Sequence, residues 1–296
     1  MRVVDLIANI LKREGVEYLN CYPSTPLIEA SAKLGIRPVI CRQERVGVGI
    51  ADGYARVTNG RSPSVFAMQH GPGAENAFPG ISTAYSDSSP ILFMPMGHPM
   101  NRDRVFPLFN SVRTYESVTK MAEQITTPER ALATMRRAFS ALRNGRPGPV
   151  LVEIPQDIAV QEVDDSMLDE YAPVRAVRSQ ADPADVETAC RALLEAKRPI
   201  IFAGAGVLYA EGWDELAQLA ELIGVPVMTT MEGKSAISEK RHPLALGIGS
   251  NVMTGPAHYF IKDADLVFAV GTSLTNHGLM TPIPKGMTII HATNDT

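Results

Sequence analysis

Along the first 160 positions, apolar residues recur with two alternating periods. Val4, Ile7, Ala8 and Leu11 fall three and four apart, the spacing of one helix face, and Gly15 is well placed to stop that helix. A short strand from Glu17 to Cys21 follows. Thr25-Pro26 then predicts a helix start, with the threonine oxygen as N-cap and the proline at the first helical position, where no N–H is needed. Arg37 to Cys41 predicts a strand, and Gln43 to Val57 a helix interrupted by glycines. Ser64 to Met68 and Ile91 to Pro95 are short unbroken apolar runs, as expected of strands covered on both faces. Between them lie a glycine-rich turn and another helix. A helix from Pro128 to Arg143 ends at Asn144-Gly145, and Val150 to Ile154 is the last strand of the series. Strands alternating with helices predict a parallel sheet with helices on both sides.

From about Pro155 to Pro183 the periodicity fades. The stretch QEVDDSMLDEYAPVRAVRSQADP is charged, carries prolines in its second half and reads as an interdomain linker. Alternation then resumes. Helices are predicted over Ala184–Ala196 and Trp213–Ile223, and strands over Pro199–Ala203, Pro226–Thr229, Leu266–Val270 and Thr288–His291. The fold class is therefore α/β, with two doubly wound parallel-sheet domains: residues 1–160, a linker over 161–182, and a Rossmann-like domain over 183–296. The chain stops just after the last predicted strand, so a further domain is expected to be missing.

Composition narrows the functional classes. Of 296 residues, 45% are hydrophobic and 20% charged, ordinary values for a globular protein. A net charge of −4, from 28 basic and 32 acidic residues, gives no electrostatic reason to bind nucleic acid or an anionic membrane. No apolar run reaches the ~18 residues that span a bilayer. The opening stretch MRVVDLIANILKREG is interrupted by acidic residues and does not have the form of a signal peptide. The three cysteines, Cys21, Cys41 and Cys190, are odd in number and form no CxxC pair, which points to unpaired thiols in a reducing, cytoplasmic setting. No metal cluster is expected within the chain.

Two segments carry candidate chemistry. Glu44 follows the strand RPVIC and opens the next helix, where a glutamate is often no more than a favourable charge at the positive end of the helix dipole. Yet the same helix holds Gly47, Gly49 and Gly53, each costing roughly 1 kcal/mol against alanine, which suggests close approach by another helix or a partner subunit. The second segment, FAMQHGPGAEN from Phe66 to Asn76, joins a strand end to a helix start, the place where parallel sheets bind ligands. Gly71 and Gly73 let a ligand approach the backbone, Pro72 stiffens the turn, and Gln69 and His70 stand at the strand end. A plain strand-to-helix turn remains the alternative.

In order, the chain shows YPSTP (Tyr22 to Pro26), RQE (Arg42 to Glu44) with ADGYAR (Ala51 to Arg56), and HGPGAEN (His70 to Asn76). PILFMPMG (Pro90 to Gly97), VTK (Val118 to Lys120) and GPVLVEIP (Gly148 to Pro155) follow. Together these resemble the pyrimidine-binding domain of the thiamine-diphosphate enzymes that include acetolactate synthase, pyruvate oxidase and benzoylformate decarboxylase. RPIIFAGAG (Arg198 to Gly206), HPLALG (His242 to Gly247) and ADLVFAVG (Ala264 to Gly271) resemble that family's central domain. The resemblance covers nearly the whole chain. It implies a homodimeric or homotetrameric enzyme that uses thiamine diphosphate and Mg2+ on a 2-oxo acid, by decarboxylation or carbon–carbon ligation. It assigns Glu44 to the ring nitrogen of the cofactor's aminopyrimidine, where it activates the cofactor. It places Pro23 beside the aminopyrimidine, and Gly71, Gly73 and Asn76 in the turn near the cofactor. Gln69 and His70 fall where relatives put substrate-facing or catalytic groups. It also implies that the helix from Gln43 lines a subunit interface.

The chain departs from the family in places. No Gly-Asp-Gly, the start of the family's diphosphate and metal motif, occurs in it. The metal ligands are therefore expected in a missing C-terminal domain, and the chain alone is expected to be inactive. Pro107 follows Phe106 where acetolactate synthases carry a glutamine. The stretch VGTSLTNH, Val270 to His277, lacks the arginine of flavin-binding relatives, so FAD is not expected. Gly204-Ala205-Gly206 lacks the third glycine of a dinucleotide fingerprint, so a nicotinamide is not expected either. The alternative function is that of a non-catalytic fragment or subunit binding a partner chain or a nucleotide.

Overall fold

The computed structural model describes residues 1–250, 252–275 and 283–295. The chain divides into two compact units, Met1–Val177 and Arg178–Thr296.

The first unit runs α1 (Val3–Arg13), β1 (Tyr18–Cys21), α2 (Pro26–Lys33), β2 (Arg37–Ile40), α3 (Glu44–Val57), β3 (Ser64–Met68), α4 (Pro72–Ser86) and β4 (Ile91–Gly97). It continues with α5 (Ser111–Tyr115), β5 (Met121–Gln124), α6 (Ala131–Arg143), β6 (Val150–Pro155) and α7 (Gln156–Ala159). Its six strands are all parallel, in the order β2-β1-β3-β4-β6-β5. Both faces are covered, which is why β3 is buried at every position, with its one polar residue, Ser64, donating to the Ala51 carbonyl. Val65 and Ala67 enter one core with α1, α2 and α6, while Phe66 and Met68 enter the other with α3 and α4. The helix starts follow the local signals. Thr25 accepts from the Leu27 amide and Pro26 opens α2. Gly47 lets α3 lie directly on β3: a Cβ there would sit 2.2 Å from the buried Phe66 ring.

The second unit runs α8 (Pro183–Glu195), β7 (Pro199–Ala203), α9 (Ala205–Tyr209), α10 (Trp213–Ile223), β8 (Val227–Thr229) and β9 (Ala245–Ile248). It ends with α11 (Gly255–Ile261), β10 (Leu266–Val270) and β11 (Thr288–Ala292). Its five strands are also parallel, in the order β11-β10-β7-β8-β9. The α/β, doubly wound class expected from the alternation is what both units show. Among the described residues no helix is long and apolar enough to cross a membrane.

Two strands escape the hydrophobic pattern. β5 is a half-exposed edge strand whose Glu123 pairs with Arg137, so it presents no apolar run. β9 is broken at Gly247, which has a φ of +83°. The stretch 161–177, aperiodic and charged, is no free tether but part of the first unit. Buried Glu14 holds it there, accepting from Tyr171 Oη, from the Val174 amide at 3.0 Å and from Arg143. At its start the Val163 amide donates to the Met1 carbonyl at 2.8 Å.

Candidate functional site

The site residues lie just past the carboxyl ends of the strands of the first unit. Past β1 come Tyr22, Pro23 and Ser24; past β2, Cys41 and Arg42; past β3, Gln69. With Ile40 these line a cavity of about 700 Å³.

Glu44 is the first residue of α3 and is only 6% exposed. Among the described residues its carboxylate has one hydrogen bond, from Asn76 Nδ2 to Oε2 at 2.8 Å. No cation pairs with it there. Gly73, in the first turn of α4, has no side chain for a structural reason: a Cβ would sit 2.8 Å from Gln69 Cγ and 3.2 Å from Glu44 Oε1. Glu44, Gln69, Gly73 and Asn76 thus form one group. Gly71 caps α4 with φ +58°, a conformation glycine adopts at no steric cost, and Pro72 opens the helix. The Glu44 charge and, above all, burial push the neighbouring Cys41 thiol up.

Pro23 and Gln69 share the cavity wall, but His70 is not among its lining residues. His70 joins residues past β4 and β6. Gln156 Nε2 lies 2.9 Å from its Nδ1, and its ring meets His98 edge-on, with centroids 4.5 Å apart and planes at 67°. Among the described residues His98 Nε2 is buried without a hydrogen-bond partner. Burial, then the neighbouring His70 and Arg102, hold the His98 imidazole below its ordinary range. Beneath this group Glu153, on β6, is 5% exposed and accepts from Gln124 Nε2 at 2.7 Å; burial pushes its carboxyl above the usual range.

The sequence reading missed Tyr22, Ser24, Cys41, Arg42, His98, Gln156 and Glu153 as site neighbours. A signal was present for all but the last. Each follows a strand end by one to three positions, where open parallel sheets bind ligands.

In the second unit the Gly204-Ala205-Gly206 turn lies backbone to backbone against Gly271. The Gly206 amide donates to the Gly271 carbonyl at 2.8 Å. The stretch Val270–His277 cited against a flavin is described only to Thr275. Among the described residues no group of three or more His, Cys, Asp or Glu could hold a metal.

Two family models match the chain: "Thiamine pyrophosphate enzyme, N-terminal TPP binding domain" over residues 1–116, and "Thiamine pyrophosphate enzyme, central domain" over residues 186–296. The chain belongs to the thiamine pyrophosphate enzymes. Among their members it is similar to a probable acetolactate synthase large subunit of Methanocaldococcus jannaschii, 32% identical over 283 residues, covering 92% of this chain and 47% of the relative. It is also similar to the glyoxylate carboligase of Escherichia coli O157:H7, 31% identical over 301 residues (98% and 50%). A chloroplastic acetolactate synthase of Arabidopsis thaliana is 31% identical over 281 residues (90% and 40%). The chain spans about half the length of the curated relatives it matches. The chain carries a buried acid, Glu44, whose Oε1 makes no hydrogen bond among the described residues and lies against Gly73 and Gln69; Pro23 and Gln69 line the cavity, while Glu44, Gly73 and Asn76 are not among its lining residues. This donor set fits an aminopyrimidine, whose ring nitrogens and amine need hydrogen-bond partners and whose flat face needs an apolar wall.

Proposed function

We propose that this chain forms the cofactor-activating part of a thiamine-diphosphate enzyme acting on a 2-oxo acid, by decarboxylation or carbon–carbon ligation. One observation carries the reading: the buried, cation-free Glu44 carboxylate, oriented by Asn76 and left open at Oε1 beside Gly73. When bound, thiamine diphosphate supplies the nucleophilic carbon and the electron sink for a 2-oxo acid. Glu44 Oε1 holds and moves a proton at a ring nitrogen of the aminopyrimidine. Asn76 fixes the carboxylate through Oε2, so the free oxygen keeps its direction. Gly73 lets α4 pack closely against Glu44 and Gln69, and Pro23 and Gln69 wall the cavity. The names of the relatives, acetolactate synthase and glyoxylate carboligase, support ligation. Pro107 in place of the expected glutamine argues against acetolactate as the product.

The diphosphate and its Mg2+ are assigned to residues outside these 296, because the chain contains no Gly-Asp-Gly and no cluster of metal-binding side chains among its described residues. A homodimer or homotetramer is the expected assembly. Its interface would cover the outward stripe of α3, where Val46 and Ile50 are 49% and 40% exposed and Gly49 and Gly53 have no atom within 4 Å of an added Cβ.

The test is Glu44→Gln in the complete enzyme that carries this chain. The amide keeps the volume and can still accept from Asn76, but it cannot move the proton. Exchange of the cofactor's C2 proton should fall by roughly 10²–10⁴-fold, the usual contribution of general acid–base catalysis. Melting temperature should barely change. Wild-type exchange in a variant shown to bind the cofactor would end this reading.

A further inference from the structure

The N-terminal part of α4 carries both residues that meet the Glu44 carboxylate. Asn76 donates to Oε2, and Gly73 lies so close to Oε1 that an added Cβ would be 3.2 Å away. Ala74 sits between them, fully buried. Pro79 stands inside the same helix and has no N–H to give the Glu75 carbonyl one turn back. The hydrogen-bond ladder is thus interrupted between the start of α4 and the rest of it. Beyond the interruption the helix is seated on α3: a Cβ on Gly80 would lie 2.6 Å from Val48 Cγ1. Before it, a side chain 41 positions away takes over. The Tyr115 hydroxyl, at the end of α5, donates to the Ala74 carbonyl. Tyr115 is fully buried, its ring centroid 4.8 Å from that of Phe93 and 5.3 Å from that of Phe78. Its backbone is fixed in turn: Thr119, in the VTK segment, donates from Oγ1 to the Tyr115 carbonyl at 2.8 Å. Burial pushes the phenol far above its ordinary range, so the hydroxyl remains a donor at any pH the fold tolerates.

We infer that Tyr115 is a positioning residue for Glu44: its hydroxyl pins the start of α4 at Ala74, so that Asn76 holds the carboxylate in one direction. The role rests on the reading of Glu44 as the acid that activates the cofactor. A phenol whose ring is locked in a close-packed core fixes where the Ala74 carbonyl can sit. Were this turn to tilt, Gly73 and Asn76 would shift together, the bond to Oε2 would weaken and Oε1 would change its aim. Tyr115 is not among the residues that line the cavity, and it acts only through Ala74 and Asn76.

The experiment has two arms, both built on Tyr115→Phe, which keeps the ring and removes the hydroxyl. In the 296-residue chain, 15N NMR reads solvent exchange of the side-chain amide protons. Exchange at Asn76 should speed up by roughly 2–12-fold, the factor that one intramolecular hydrogen bond is worth. Exchange at Asn20, whose amide donates to the Val65 carbonyl inside the sheet, should not change. In the complete enzyme saturated with cofactor, C2-proton exchange should slow by the same factor, and should slow no further when Tyr115→Phe is added to Asn76→Ala. A wild-type Asn76 amide that exchanges as fast as that of exposed Asn101 overturns the proposal before any variant is made. No acceleration at Asn76 overturns it, and so does equal acceleration at Asn76 and Asn20, which would be a general loosening. Losses in C2-proton exchange that add in the double variant overturn it as well. If Glu44→Gln leaves C2-proton exchange intact, the thiamine role of Glu44 falls instead, and the amide measurement still decides whether Tyr115 holds Asn76.

Discussion

Gly47→Ala and Gly53→Ala are the same chemical change, six residues apart on one helix, and they should shift stability in opposite directions. An alanine Cβ at position 47 would lie 2.2 Å from Phe66 Cε2 and 2.8 Å from both Phe66 Cζ and Cys41 Sγ. Carbon atoms rest at about 3.5–4.0 Å, so the first contact is short by more than an ångström. Phe66 cannot swing aside, because it is fully buried and its ring stacks on Phe93 with centroids 6.2 Å apart. Overpacking of this kind costs about 1–3 kcal/mol. Removing a glycine from a helix interior returns about 1 kcal/mol. With so short a contact the upper part of the range applies, which leaves Gly47→Ala destabilised by roughly 1–2 kcal/mol. At Gly53 nothing lies within 4 Å of the added methyl, so only the propensity gain of up to about 1 kcal/mol remains. Hydrogen exchange of α3 and β3 peptides across a urea series, in dilute chain, measures both changes locally. The single tryptophan, Trp213, lies in the second unit, so its fluorescence would be a poor reporter of either. Equal stability of the two variants would show that α3 does not rest on Phe66 as described.

Two further outcomes follow from burial. Glu153→Gln should stabilise the first unit at pH 7, and the advantage should shrink on acidification. Burial raises the folded Glu153 above its ordinary range, so the folded chain binds the extra proton first. Wild-type stability then falls as pH rises from the unfolded value, about 4.3, through the folded one. Urea midpoints from pH 4 to 7 read the gap, and a constant gap would contradict the assignment. A thiol reagent should label exposed Cys190 quickly in the native chain, and Cys21 and Cys41 only after denaturation. Burial pushes Cys21 up to about 11 and raises Cys41, so neither supplies much thiolate at neutral pH. Rapid native labelling of two or more cysteines, resolved by peptide mass, would refute that.

What the linear chain determined was local. SVFAM, PIIFA and LVFAV are strands over the same residues in the fold as in the pattern, because an unbroken apolar run between turns has few other uses. Thr25-Pro26 and Gly15 mark helix ends through contacts made within four residues. The order of motifs singled out Glu44, Gly73 and Asn76, which the fold brings into one group. Tertiary structure decided what depends on residues far apart in sequence. It seats Asn76 on the Glu44 carboxylate, 32 positions away, and turns His70 from the Gln69 cavity toward Gln156, 86 positions away. It ties the charged stretch around Tyr171 to Glu14, and makes a strand of the polar edge segment Met121–Gln124. Hydrophobic periodicity reports only which face of an element leaves water. Which elements then become neighbours, and at what distance, is set by sheet order and close packing, and neither leaves a periodic trace in the sequence.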